Sequence, residues 1–153
     1  MLIDSHCHLD FPDFASELDA VVGRAKSAGV RHMLTIGTRV RKFDEVLAVA
    51  ERFPEVTCSI GTHPHYASEE RDITLEEIVE QTRNPRVVAI GEVGLDYFYQ
   101  KSSREDQEAG FRTHIAAAFA FAKSLKKFAV VMFATPASLT PLTSARTLAV
   151  CRT

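Results

Sequence analysis

The chain has 153 residues and a mass of 17.0 kDa, which is about the size of one average domain. Its 46% hydrophobic and 25% charged residues exclude a disordered tail, a collagen-like repeat and a coiled-coil rod. The formal net charge of -2 gives no global positive field that would attract nucleic acid, although a metal site can bind phosphate without a basic surface.

Membrane spans and disulfides are not expected. No apolar run approaches the roughly 20 residues that a transmembrane helix needs, and the start of the chain from Met1 to His6 lacks the features of a signal peptide. Cys7, Cys58 and Cys151 are odd in number and have no CxxC spacing, so a disulfide framework is not expected. These features predict a cytoplasmic protein without a membrane partner.

Apolar periodicity predicts a short strand and then a helix at the start of the chain. Residues 1–4 form the brief first strand, and helical spacing begins at Phe14, with Asp13 as the predicted N-cap. Gly29 follows the end of this helix, and the buried strand 32–36 comes next.

The same alternation continues through the chain. The next elements are a helix over 43–50 ended by Pro54, a strand over 56–60, a helix over 75–79, a strand over 87–90 closed by Gly91, a helix from near Ser103 and a strand over 129–133. Alternating strands and helices predict βαβ units and a parallel sheet. The strands are continuous apolar runs, as expected when helices cover both faces of the sheet.

Polar residues cluster directly after three of the predicted strands. His6 and His8 follow the first strand, His63 and His65 follow the third, and Glu92 follows the fourth. Ligands of parallel α/β folds gather at the carboxyl ends of the strands. These five residues are therefore the candidate site.

His6 and His8 are spaced to bind one ion. On an extended backbone, side chains two residues apart point to the same face, so both imidazoles reach the same point and Cys7 points away. Imidazole suits zinc and other first-row ions, and the Glu92 carboxylate can bridge two ions or bind a harder one.

Simpler interpretations exist for each group alone. An HxH pair occurs by chance, loop histidines such as His63 and His65 are commonly solvated, and Glu92 alone could cap a helix or form a salt bridge. Three such groups at three strand ends favour a metal site over chance. His32, at the start of a strand, is predicted to be structural, and His114 is predicted to lie on the surface of the fourth helix.

Three segments carry a family resemblance. Residues 3–10 (IDSHCHLD), 61–65 (GTHPH) and 91–97 (GEVGLDY) together resemble the TatD-type metal-dependent deoxyribonucleases of the amidohydrolase superfamily, which are (β/α)8 barrels. The match runs from Met1 to about Ala118. The resemblance implies an α/β fold, a partial (β/α)8 TIM-type barrel with about four to five βα units.

The resemblance also implies a binuclear metal site that hydrolyses phosphodiester bonds of DNA, often from the 3′ end. On this basis His6 and His8 bind one ion, Glu92 bridges or binds the pair, and His63 and His65 line the substrate side. The two ions would generate a hydroxide nucleophile and hold the attacking and leaving oxygens. Magnesium, manganese and zinc are all compatible with these ligands.

The chain departs from the family pattern after about Ala118. The family supplies two further histidines and an aspartate from later strands, but residues 130–135 contain no histidine, and no acidic residue follows Glu108. Residues 119–153 are therefore predicted to be an atypical tail, for which we hypothesise a shifted reading frame with early termination. A genuine but divergent tail is the alternative.

Length leads to related expectations. A (β/α)8 barrel needs about 250 residues, so this chain corresponds to about half of one, with an open sheet edge that favours self-association. We expect impaired nuclease activity. The alternatives are a non-catalytic truncated or half-barrel product, or another HxH phosphoesterase of the polymerase-and-histidinol-phosphatase type, although residues 91–97 favour the TatD type.

Overall fold

The computed structural model describes residues 2–125, 129–134 and 145–150, with side chains for residues 2–123. Its strands are β1 (Leu2–Cys7), β2 (Val30–Thr35), β3 (Val56–Ile60), β4 (Val87–Gly94), β5 (Ala129–Ala134) and β6 (Ala145–Val150). Its α-helices are α1 (Leu18–Ser27), α2 (Phe43–Arg52), α3 (Leu75–Gln81) and α4 (Arg104–Leu125), and short 3-10 helices cover Pro12–Phe14, Val40–Lys42 and Pro64–Tyr66. Four strand–helix units and a fifth strand thus follow one another along the chain.

The strands form one sheet in the order β1-β2-β3-β4-β5-β6. The first five strands are parallel, and β6 pairs antiparallel with β5. Helix α2 packs against β3, and α4 packs against β4 and β5. The sheet curls into part of a barrel, which confirms the predicted α/β class and the partial TIM-type barrel with four to five βα units.

The hydrophobic core lies between the sheet and the helices that cover it. Its largest fully buried apolar side chains are at most 1% exposed and come from strands, from the turns after them and from two helices: Ile36, Ile60, Ile78, Ile90 and Phe121. Helix α2 buries Phe43, Val46, Val49 and Ala50 at helical spacing. Removing these apolar surfaces from water is the main stabilising contribution to the fold.

Three element boundaries differ from the predictions. Helix α1 begins at Leu18 rather than near Phe14, because Pro12 starts a separate 3-10 turn and Asp13 caps no helix. Strand β1 extends beyond residue 4 to Cys7, and β4 extends beyond Gly91 to Gly94. His6 and Glu92 therefore lie within strands rather than after them.

Much of the predicted tail over 119–153 lies outside the described residues, namely 126–128, 135–144 and 151–153. Strand β5 agrees with the predicted strand over 129–133. Strand β6 was not predicted, because residues 145–150 follow a segment without clear periodicity. The proposed change of reading frame stays a hypothesis.

Strand β1 forms one margin of the sheet, since among the described strands it pairs only with β2. Its first apolar side chains are largely solvent-exposed, with Leu2 at 59% and Ile3 at 57%. An exposed apolar edge of this kind can pair with another chain. Self-association through an open edge stays a prediction.

None of the described helices combines the length and the apolar character needed to cross a bilayer.

Candidate metal centre

Two strands that are not neighbours in the sheet bring the candidate ligands together. His6 lies on β1, His8 follows β1, and Glu92 lies on β4. In a flat sheet, three strand spacings would separate β1 from β4 by about 14 Å. Yet one donor atom from each of the three side chains lies within 4.8 Å of the other two. The curl of the sheet therefore turns these side chains towards a common point.

The distances among these donors suit a divalent ion. Nε2 of His6 lies 3.6 Å from Oε2 of Glu92, and the rings of His6 and His8 lie edge to face with their centroids 5.2 Å apart. Zinc binds nitrogen and oxygen at about 2.0–2.2 Å, so two ligand atoms on one ion are at most about 4.4 Å apart. Around a tetrahedral ion the donors lie about 3.4 Å apart, so a contraction of about 1.4 Å or less would let the three donors share one ion.

Hydrogen bonds leave the two histidines able to act as ligands. Nδ1–H of His8 donates to the carbonyl of Ile36 at 3.2 Å, which leaves the lone pair of Nε2 available. Nδ1 of His6 is buried and has no hydrogen-bond partner among the residues that the structure describes. Between them, the Cys7 thiol points away and donates to the carbonyl of Leu34. Burial raises the pKa of this thiol to about 12, so Cys7 is a poor ligand, as the strand alternation predicts.

Burial controls the electrostatics of this group. Glu92 is only 6% exposed, and burial raises the pKa of its carboxyl to about 7. Burial also lowers the pKa of His6, with the neighbouring His8 acting in the same direction and Asp4 opposing it. A metal ion binds the neutral form of an imidazole and the ionised form of a carboxyl group. A bound cation would therefore offset the cost of burying the charged carboxylate of Glu92.

His63 and His65 lie in the loop after β3. His63 is near Oε1 of Glu92, whereas His6 is near Oε2. Nδ1 of His63 accepts from the backbone N–H of His65, so neutral His63 carries its proton on Nε2, 4.0 Å from Oε1 of Glu92. Burial lowers the pKa of His63 to about 4, with His65 acting in the same direction. His63 is therefore a neutral N–H donor near pH 7.

An open cavity of about 210 Å³ lies over these side chains. Its lining combines four of the five predicted site residues with one hydroxyl and two aromatic side chains: His8, His63, His65, Glu92, Thr38, Phe11 and Tyr66. The Phe11 ring stacks on the His8 ring with the centroids 4.7 Å apart. The guanidinium of Arg39 lies 3.6 Å from the centroid of the Tyr66 ring.

Asp96 has a role in the site that was not predicted from the sequence. Its Oδ2 accepts from Nε2–H of His65 at 2.7 Å, and its Oδ1 accepts from the backbone N–H groups of Phe98 and Tyr99. Burial opposes ionisation, but these hydrogen bonds hold the pKa of Asp96 below its usual value. The sequence did contain one indication of this role, because Asp96 lies in the 91–97 segment that carries the family resemblance.

Glu70 was also not predicted to have a structural role near the site. Its hydrogen bonds fix the segment that leads to His63. It is 6% exposed, and its carboxylate accepts hydrogen bonds from the backbone N–H groups of Val40 and Arg41 and from the hydroxyl of Thr62. Its position in the charged stretch 69–72 gives no sign of burial, because such runs are normally solvated.

The prediction that His114 lies on the surface is wrong. His114 is 1% exposed, its Nδ1–H donates to the carbonyl of Gly110, and its Nε2 accepts from the backbone N–H of Thr62 at 3.1 Å. The partner Thr62 is 52 residues away in sequence, so no local pattern could reveal the contact. His114 thus connects α4 to the segment that carries His63.

Because of His114, the free energy of unfolding is expected to fall as the pH falls below about 6.5. Burial lowers its pKa in the folded chain, and the Gly110 carbonyl and Glu70 only partly oppose this effect. The unfolded chain takes up a proton on this residue as pH falls through about 6.5, whereas the folded chain does not, so its contribution is present above that pH and is lost below it. Between pH 7 and 5.5 the wild type should lose about 1 kcal/mol more stability than His114→Gln.

Urea unfolding followed by circular dichroism at several pH values measures this difference. His32→Gln is the matched control, since it removes a half-buried histidine that bonds to the Thr57 hydroxyl instead. If the free energy of unfolding changed equally with pH in the wild type and in His114→Gln, the prediction would be contradicted.

Comparison with known proteins identifies the family of this chain. The family model described as TatD related DNase matches residues 3–130. The chain belongs to the TatD related DNase family. This membership confirms the family resemblance and decides against the polymerase-and-histidinol-phosphatase type.

Several TatD relatives resemble the chain over most of its length. It is 37% identical over 108 residues to the uncharacterized metal-dependent hydrolase YjjV of Escherichia coli strain K12, an alignment that covers 69% of this chain and 42% of the relative. It is 35% identical over 114 residues to the 3'-5' ssDNA/RNA exonuclease TatD of Salmonella typhimurium, covering 74% of this chain and 44% of the relative.

A crystal structure of YjjV, the TatD homolog from Escherichia coli K12, superimposes with a TM-score of 0.71 and 33% identity, covering 78% of this chain and 47% of that one. The chain thus spans less than half the length of these TatD relatives.

Proposed function

We propose that this TatD family chain binds a divalent metal ion at His6, His8 and Glu92 and hydrolyses phosphodiester bonds of DNA. The observation that supports this most is the convergence of one donor atom from each of these side chains within 4.8 Å. The relatives support the reaction class, since they are named metal-dependent hydrolases and a 3'-5' ssDNA/RNA exonuclease.

The chain's own residues have separate tasks in this reaction. A bound divalent ion supplies Lewis acidity and activates water. His6 and His8 offer neutral nitrogen ligands, and Glu92 adds the negative charge that retains a cation. In this proposal His63, with its proton on Nε2, donates a hydrogen bond to a phosphate oxygen in the cavity. Asp96 fixes the ring of His65 beside it.

The number and identity of the ions belong to the same proposal. The family resemblance implies two ions, and magnesium, manganese and zinc all fit imidazole and carboxylate ligands. Among the side chains of residues 2–123, one group of three offers donor atoms within 4.8 Å of one another, which is enough for one ion. Three ligands hold one ion but do not position two, so we expect low activity from this chain.

A nuclease assay tests the proposal. The purified chain with Mn²⁺ or Mg²⁺ should cleave single-stranded DNA, at least about tenfold more slowly than the full-length Salmonella relative. Chelation by EDTA and the substitution His8→Ala should each abolish cleavage. His32→Ala, which removes a histidine outside the site, should keep the activity.

Cleavage that persists in EDTA, or that survives in His8→Ala, would overturn the assignment. Binding of Mn²⁺ without any cleavage would instead support the non-catalytic alternative, which the small number of described ligands favours.

A further inference from the structure

Two large aromatic side chains are exposed side by side next to the candidate metal centre. Phe98 is 62% exposed and Tyr99 is 52% exposed, and their rings lie edge to face with the centroids 4.9 Å apart. Exposed apolar surface is common, but adjacent exposed rings beside a polar cavity are typical of a binding surface. We call Phe98 and Tyr99 the aromatic pair.

The aromatic pair is held by the same carboxylate that orients His65. Oδ1 of Asp96 accepts from the backbone N–H groups of Phe98 and Tyr99 at 3.0 and 3.2 Å, while Oδ2 accepts from His65. Gln107, only 2% exposed, fixes Asp96 through both its backbone N–H and its carbonyl. The position of the aromatic pair relative to the site is therefore built into the fold.

A series of ring contacts leads from the aromatic pair to the candidate metal ligands. The Tyr99 ring lies 5.5 Å from the His65 ring, and the His65 ring lies 4.4 Å from the His63 ring. Nε2 of His63 in turn lies 4.0 Å from Oε1 of Glu92. A molecule that contacts Glu92 and the aromatic pair together would extend along these rings.

Two cations follow the aromatic pair closely in the sequence. Lys101 and Arg104 are both exposed, and the guanidinium of Arg104 lies 4.2 Å from the centroid of the Tyr97 ring. Aromatic rings that stack with bases, combined with nearby cations that attract phosphates, are the usual means of binding single-stranded nucleic acid. A paired base in a duplex is already stacked on its neighbours and offers no free face.

We propose that the aromatic pair, Phe98 and Tyr99, stacks with an unpaired nucleobase of a single-stranded nucleic acid whose phosphodiester lies at His6, His8 and Glu92. The placement of the phosphodiester rests on the proposed function. The stacking surface itself rests on the exposure of the two rings and on the hydrogen bonds that fix the backbone of both residues.

Fluorescence anisotropy with a labelled oligothymidylate of about ten nucleotides measures this contact. EDTA is present, so that binding is measured without metal-dependent cleavage. A second labelled oligomer of the same length carries abasic sites and the same phosphates. The double variant Phe98→Ala/Tyr99→Ala should bind oligothymidylate about 5- to 150-fold more weakly than the wild type, the range expected for one stacked base. Its binding of the abasic oligomer should not change.

Two further variants keep the test specific. Phe119→Ala removes a ring that is 54% exposed elsewhere, on α4, and should leave oligothymidylate binding unchanged. The exchange Phe98→Tyr/Tyr99→Phe retains both rings and should retain binding, which separates the loss of a stacking face from general damage to the loop.

Equal losses for the two oligomers, an equal loss in Phe119→Ala, or no detectable binding of oligothymidylate by the wild type would overturn the proposal. The proposed function fails separately. A chain that never cleaves DNA but shows the base-dependent loss disproves the hydrolase assignment, whereas a chain that cleaves with Mn²⁺ but shows no such loss disproves the stacking surface.

Discussion

Replacing Glu92 by glutamine is expected to weaken binding of Zn²⁺ or Mn²⁺ by about 100-fold or more, because even outer-shell partners of metal ligands commonly contribute 10- to 100-fold. Glu92 offers the one anionic donor in the group with His6 and His8. The glutamine amide has nearly the same shape but carries no charge and is a weak ligand. Isothermal titration calorimetry with each ion measures the affinity.

Stability gives a second measurement for this variant. A buried amide costs less to desolvate than a buried carboxylate, so Glu92→Gln without metal should be at least as stable as the wild type.

Glu76→Gln makes the same chemical change at an exposed position of α3 and should leave metal affinity unaltered. Wild-type affinity in Glu92→Gln would show that this side chain is not a ligand.

Replacing Gly61 by alanine is expected to destabilise the fold by about 2–3 kcal/mol, the upper part of the usual range for overpacking a core, and to reduce metal binding as well. A Cβ at residue 61 would lie 2.6 Å from Cα of Gly91 and 3.0 Å from the carbonyl oxygen of Glu92. These are backbone atoms, so the segment after β3 and the middle of β4 would have to separate. Because His63 follows β3 and Glu92 lies on β4, that separation would displace both.

Urea unfolding and metal titration together test the Gly61 prediction. Gly23→Ala is the control, since a Cβ at residue 23 of α1 would meet no atom of the described residues within 4 Å outside its chain neighbours and its own helix backbone. That change should stabilise the chain by up to about 1 kcal/mol through helix propensity. If Gly61→Ala were as stable as the wild type, the close approach of the two strands would not constrain the site.

The alternation of strands and helices could be predicted because each element has a strong local pattern. Buried strands are continuous apolar runs, as in β3, and α2 repeats its apolar residues at helical spacing. The end of β4 was placed too early because Gly91 follows the apolar run and glycine commonly ends an element. In the structure the strand continues through Gly91, which packs tightly against Gly61.

The candidate site was only partly predictable, for a related reason. The proximity of His6 to His8 follows from their spacing on an extended backbone, and Glu92 could be placed at the same edge of a parallel sheet. The burial of Glu70 and His114 depends on contacts with distant segments. A single sequence carries no local sign of them.

Strand β1 lies at the edge of the described sheet, and this position affects how firmly a metal ion is held. His6 belongs to a strand whose ladder, among the described residues, is hydrogen-bonded on one side only. Fraying of that strand would withdraw one ligand from the ion while the interior stays folded. Occupancy by the ion and closure of the terminal strand are thus thermodynamically coupled, and each should increase the equilibrium population of the other.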